Sequence, residues 1–193
     1  MIKNTLLNLF LCLALSAPLF SQNVSHGAFG ALEMKSLSYK KQNAFFVGGR
    51  FGWVINKKYV IGAGYYSLIN SLDVKSNEYP GEEFDNLNYG GLELEYYYFN
   101  ADKIHASASL LLGGGGVTIY LPAETSAKKI KMTLNLLVYE PRLCFEYSIA
   151  PWLNASFGIS YRLVTNLDGI YGIYNEDFSG PTGSVSIRFG DYR

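Results

Sequence analysis

Apolar and polar residues alternate with period two along most of this chain. That pattern belongs to strands with one apolar and one polar face. The clearest case is Leu87 to Leu112. Leu92, Leu94, Tyr96 and Tyr98 share a face, and Glu93 and Glu95 share the other. Beyond Asn100-Ala101-Asp102, Ile104, Ala106, Ala108, Leu110 and Leu112 stand opposite His105, Ser107 and Ser109. Asn and Asp supply turn chemistry, so the stretch reads as a hairpin. Each strand runs roughly 10–13 residues, longer than the usual five or six. A tilted strand needs roughly 9–11 residues to cross a bilayer.

The same alternation recurs over Gly27–Ser38, Asn43–Val54, Lys58–Asn70, Thr133–Ser148, Trp152–Leu163 and Gly180–Tyr192. With the hairpin this predicts an all-β chain: an eight-stranded antiparallel up-and-down transmembrane β-barrel. Ser38–Gln42, Asn56-Lys57, Asn100–Asp102 and Ala150-Pro151 are the short connections. Ser71–Asn86, Gly113–Lys131 and Val164–Ser179 read as long loops. Short turns on the periplasmic side and long loops outside are the arrangement of outer-membrane barrels, and only the first outer loop, Ser38–Gln42, breaks it by being short. Pro141, which cannot donate to a ladder, is expected to force a bulge in the sixth strand. The glycines Gly113–Gly116 are expected to end the fifth in a bulge or bend; no helix follows them to make a phosphate cradle.

Alternation does not say which face is inside; the placement of charge does. Charged residues make up only 17% of the chain, and formal net charge is zero. Zero net charge argues against a nucleic-acid partner. The mid-strand charges on polar faces are Glu33, Glu93, Glu95, Glu140 and Glu146 against Lys35, Arg50, Arg142, Arg162 and Arg188. A soluble barrel would display Lys on its outer strands, whereas paired Glu and Arg among small residues suit a filled lumen. The expected network joins Glu93, Glu95, Glu140 and Glu146 to Arg50, Arg142, Arg162 and Arg188 across the barrel, leaving no aqueous pore. Trp53, Tyr59, Tyr98, Phe99, Tyr147, Trp152 and Tyr192 fall at the short-turn ends of their strands. This reads as an aromatic girdle at one membrane interface.

Ahead of the strands, Lys3, the apolar run Leu6–Leu15 and Ser16-Ala17-Pro18 have the form of a secretory signal peptide. Cleavage is expected after Ser21, giving a signal peptide over 1–21 and a barrel over 22–193. Cys144 is then the lone mature cysteine and is expected to be packed inside.

The run FFVGGRFGWVINKKYVIGAGYYSLIN, Phe45 to Asn70, together with the LFSQN signal end, resembles small outer-membrane β-barrel proteins of Bacteroidetes-type bacteria. The eight-strand plan resembles the transmembrane domain of the OmpA/OmpX superfamily. The resemblance implies a bacterial outer-membrane location, in contact with lipid and lipopolysaccharide, and insertion by the barrel-assembly machinery. Tyr192, next to last, departs from the usual terminal aromatic signal of that machinery. No peptidoglycan-binding domain is expected after Arg193.

No cofactor motif and no catalytic motif stand out, so the expectation is a non-enzymatic barrel with a structural or surface-interaction role carried by its outer loops. The acidic loop (Asp73, Glu78, Glu82, Glu83, Asp85) invites a divalent cation and the basic one (Lys128, Lys129, Lys131) lipopolysaccharide phosphate. The favoured reading of each is an ordinary solvated loop, and no metal is expected. The alternative is a lipid A-modifying enzyme, deacylase or acyltransferase, with His105 as base, Ser107 as nucleophile and Glu93 or Glu95 as orienter. A small pore comes last, since eight strands leave room only for side chains.

Overall fold

The computed structural model describes residues 24–39, 42–70, 72, 83–121, 130–167, 169 and 173–191. The segment read as a signal peptide, Tyr192, and Lys128 and Lys129 lie outside them, as does most of the acidic loop. The strands are β1 (His26–Tyr39), β2 (Gln42–Ile55), β3 (Tyr59–Leu68), β4 (Glu83–Asn100), β5 (Ile104–Leu121), β6 (Ile130–Ala150), β7 (Leu153–Thr165) and β8 (Gly180–Asp191). Each pairs antiparallel with its chain neighbour, and β8 closes on β1. The ring is a closed, up-and-down barrel without edge strands across its middle.

Alternation gives the two faces. Leu32, Phe51, Ile61, Leu92, Leu94, Phe157 and Val185 are exposed on the outside. A water-soluble wall would not present such a continuous apolar surface. On β6 the outward residues change from Leu137, Tyr139, Leu143, Phe145, Tyr147 and Ile149 to exposed Asn135, Thr133 and Lys131. At about 3.3 Å per residue and a tilt near 40°, Leu137 to Ile149 spans roughly 30 Å, one hydrocarbon core. The barrel is a transmembrane barrel, with β4, β5 and β6 running on past the apolar band.

That extension corrects three expectations. The loop read over Ser71–Asn86 loses its last residues to β4, and the one over Gly113–Lys131 loses both ends to β5 and β6. The four glycines do not end β5. They stay in the ladder, Gly113 opposite Gly91, Gly114 opposite Gly90, Gly115 opposite Tyr89 and Gly116 opposite Asn88. The reason is close approach: a Cβ on Gly113 would lie 2.0 Å from the Gly90 carbonyl oxygen. Pro141 makes no bulge either. β6 and β7 pair at Tyr139–Leu163 and again at Arg142–Ser160, in unchanged register, with only Glu140 and Pro141 unmatched between. One missing N–H removes one rung without displacing the strand.

The connection over Val164–Ser179 is also partly folded. Leu167, Ile173 and Phe178 are fully buried, and a single helical turn, α1 (Asn175–Phe178), sits above β7. The Leu167 N–H donates to Asn175 Oδ1 at 2.9 Å, and the Val164 N–H to Ser179 Oγ at 2.9 Å. At the opposite end Asn56 and Lys57 both take positive φ, 54° and 55°. That is the geometry of a tight primed hairpin turn.

Candidate functional site

The interior divides along the barrel axis. Toward the long connections it is apolar: Leu37, Phe46, Leu87, Val117, Ile119, Leu134 and Leu136 pack with Leu72, Leu167, Ile173 and Phe178. This core stoppers the barrel at that end. Below it the interior is charged. Glu33, Lys35, Arg50, Glu93, Glu95, Glu140, Arg142, Glu146, Arg162 and Arg188 are all buried. Every one of them has an ion pair with another member.

The pairs form two groups. In the first, Glu140 takes Lys35 Nζ at 2.7 Å and Arg162 Nε at 3.2 Å. It also accepts from Tyr89 Oη at 3.1 Å and Ser160 Oγ at 3.0 Å. Lys35 Nζ stands 3.7 Å from the Tyr66 ring centroid, and the Arg162 guanidinium lies 4.3 Å from that of Tyr89. Aromatic faces there replace missing water around the cations. In the second, Arg142 bridges Glu33 at 2.7 Å and Glu93 at 2.5 Å. Arg50 bridges Glu93 at 2.9 Å and Glu95 at 2.7 Å. Arg188 continues the chain to Glu95 at 3.3 Å and Glu146 at 2.7 Å. Tyr66 donates to Glu33, and Tyr97 donates to Glu146 while accepting from Arg188.

These contacts explain how so much charge fits. The inward positions of β2 to β5 carry glycine at Gly48, Gly52, Gly62, Gly64, Gly91, Gly113 and Gly115. The long arginines reach from β6, β7 and β8 into the space that wall leaves. A Cβ on Gly52 would already meet Val60 at 2.6 Å and the Phe29 ring at 2.8 Å. Chemically, the arrangement pairs buried charges with one another. A carboxylate held between two guanidinium groups has its acceptor sites filled.

Sequence reasoning proposed Glu93, Glu95 and Glu140 meeting Arg142, Arg162 and Arg188. Of these the structure makes Glu93–Arg142, Glu140–Arg162 and Glu95–Arg188. It missed Lys35 and Glu33 as linking members, and the tyrosines Tyr66, Tyr89 and Tyr97. Their inward register was legible from alternation, but their reach across the lumen was not. The aromatic residues Trp53, Tyr59, Tyr98, Phe99, Tyr147 and Trp152 are exposed at the short-turn end. Outward aromatics also occur elsewhere, with Phe45, Tyr65, Tyr139 and Tyr161 toward the long connections. Cys144 is buried and free.

The His105–Ser107 pairing considered for an enzyme is not formed. Ser107 Oγ donates to Glu95 at 2.6 Å instead. His105 turns to Asn100 and Ser148. Among the described residues no cluster of metal-ligating side chains occurs.

No family model and no curated protein matches the sequence. Solved structures do match the fold. The N-terminal β-barrel domain of Pseudomonas aeruginosa OprF superposes with a TM-score of 0.55 over 85% of this chain and 96% of that one, at 11% identity. Neisserial surface protein A superposes with a TM-score of 0.52 over 87% and 99%, at 14% identity. The fold is that of the eight-stranded outer-membrane barrels. At such identities the likeness covers architecture and leaves the interior chemistry to this chain's own residues.

Proposed function

We propose that this chain is exported by its segment 1–21 and resides in a bacterial outer membrane as a closed barrel. In this reading the lumen is a structural plug. The end bearing the long connections faces outward, in contact with lipopolysaccharide and with surface partners. The observation that carries the proposal is the double closure of the interior: a neutral ion-pair network across the middle and an apolar core above it. A conducting channel keeps water around its charges and has no need of mutual pairing. Here every charged residue of the network is ion-paired inside the barrel, which offsets part of the cost of taking it out of water. Insertion would depend on the barrel-assembly machinery.

Two measurements test this reading. Membrane fractionation with a heat-modifiability gel should place the chain in the detergent-extracted outer membrane as a compact, heat-shifted band. Purified protein in planar bilayers should give no stable large openings. A soluble periplasmic protein, or steady nanosiemens-scale conductance, would each reject it.

A further inference from the structure

β6 outruns its neighbour β7 beyond the apolar band. Their pairing begins at Leu137 opposite Thr165, whereas β6 starts at Ile130 and pairs with β5 from there without a register shift. Among the described residues no strand pairs with Ile130–Leu136 on the β7 side. The Asn135 carbonyl accepts from Asn166 Nδ2 at 3.2 Å, so the backbone groups of Asn135 face that side. Backbone groups alternate along a strand, and the N–H and C=O of Lys131 and Thr133 therefore face it too. Sheet edges with unpaired backbone groups are templates for a further strand.

The extension is braced on both faces. On the outside, Lys131 Nζ reaches across β5 to Asp85 at 3.5 Å and stands 5.9 Å from the Tyr120 ring centroid. The Thr118 and Thr133 hydroxyls lie 3.2 Å apart. On the inside, Leu134 is buried and Met132 packs against the apolar stopper. The far edge of the same three strands differs. There β4 shifts register between Phe84 and Asn86, and Ser67 Oγ reaches Asn86 Oδ1 at 3.5 Å. A bulge blunts an edge, and β6 has none along Ile130–Leu136.

From this asymmetry we infer that the β6 edge over Ile130–Asn135 is a docking site for an extended polypeptide segment of another protein, which joins the extension as a fourth strand. Bonds to the Lys131 and Thr133 backbone hold it. The two flanks of the edge set its pattern: apolar side chains beside Met132 and Leu134, polar ones beside Lys131 and Thr133. A two-fold-related copy in the same membrane does not supply it. Strands tilted near 40° and related about the membrane normal cross at about 80° instead of running antiparallel. The inference gives a chemistry to the surface partner proposed above, and rests on that reading only for the outward placement of this end.

The test uses the mature barrel in detergent micelles, where the side of the membrane plays no part. The probe is a fluorescent peptide copying Gly116–Leu121, which already pairs with β6 on its other side, with lysines added at its ends for solubility. Anisotropy should show saturable binding, and amide exchange at Lys131 and Thr133 should slow in the complex. With the same residues opposite one another as in β5, the peptide amides copied from Thr118 and Tyr120 face β6. N-methylating those two should weaken binding roughly tenfold or more, since two hydrogen bonds are lost. N-methylating those copied from Val117 and Ile119, which face away, should leave binding unchanged. Thr133→Pro removes an N–H from the open edge alone, so the variant should keep its heat-modifiable band and lose the peptide. Thr133→Ala keeps that N–H and should bind as the wild type does. Absence of saturable binding to the wild type, undiminished binding by Thr133→Pro, or equal effects of the two methylation patterns would each overturn the inference. Edge binding by a chain that fractionates as soluble would support the docking site and reject only the outer-membrane reading.

Discussion

Arg142 reaches two carboxylates on two other strands, Glu33 on β1 and Glu93 on β4. Arg162 reaches one, Glu140, which also keeps Lys35. The difference sets an order for their removal. Stranding a buried charge costs roughly 3–5 kcal/mol, far more than an exposed pair is worth. Arg142→Ala should lose about that much, read as a lowered denaturant midpoint in detergent. Arg162→Ala should lose less, because Lys35, Tyr89 and Ser160 still satisfy Glu140. Equal losses would mean that the charges act as one undivided pool. Gly113 tests the tight wall: Gly113→Val should destabilise by about 1–3 kcal/mol or block folding, since a side chain there has nowhere to go. Unchanged unfolding in Gly113→Val would show that the wall can yield.

At the level of strands, the missing rung at Pro141 is the informative defect. The β6–β7 pairing is interrupted between Tyr139–Leu163 and Arg142–Ser160, within the apolar band, where no water replaces a lost N–H donor. Pro141→Val should therefore stabilise the barrel by about 1 kcal/mol and pair β6 with β7 without interruption. Faster amide exchange along β7 in that variant would contradict this account. The partly folded connection after β7 makes a second prediction. Proteases applied to intact cells should spare Ile173–Ser179, and Phe178→Asp, by expelling a fully buried ring, should open it to cleavage. The strands themselves were readable because period-two alternation depends only on local backbone geometry. Their lengths were not, because Gly113–Gly116 carries no side chain with which to signal a face. Nor were the contacts of His105 with Asn100 and Ser148. Ser148 and His105 are 43 residues apart and meet through the pairing of β5 with β6.

For the whole molecule, the pairing pattern bears on how a barrel can be built. Lys35 on β1 finds Glu140 on β6, and Arg142 on β6 finds Glu33 on β1. Neither pair is between strands that neighbour each other in the ring. Hairpins formed one at a time would each carry bare charge on the face that later becomes interior. In hydrocarbon that face is prohibitively costly until the opposite wall arrives. Strand-by-strand insertion into lipid is therefore disfavoured, and closure and charge neutralisation become the same event. Refolding into vesicles should then proceed in a single cooperative step. Probes on β1 and on β6 should report one rate, and Lys35→Met with Glu140→Gln should let the two walls enter at separate times.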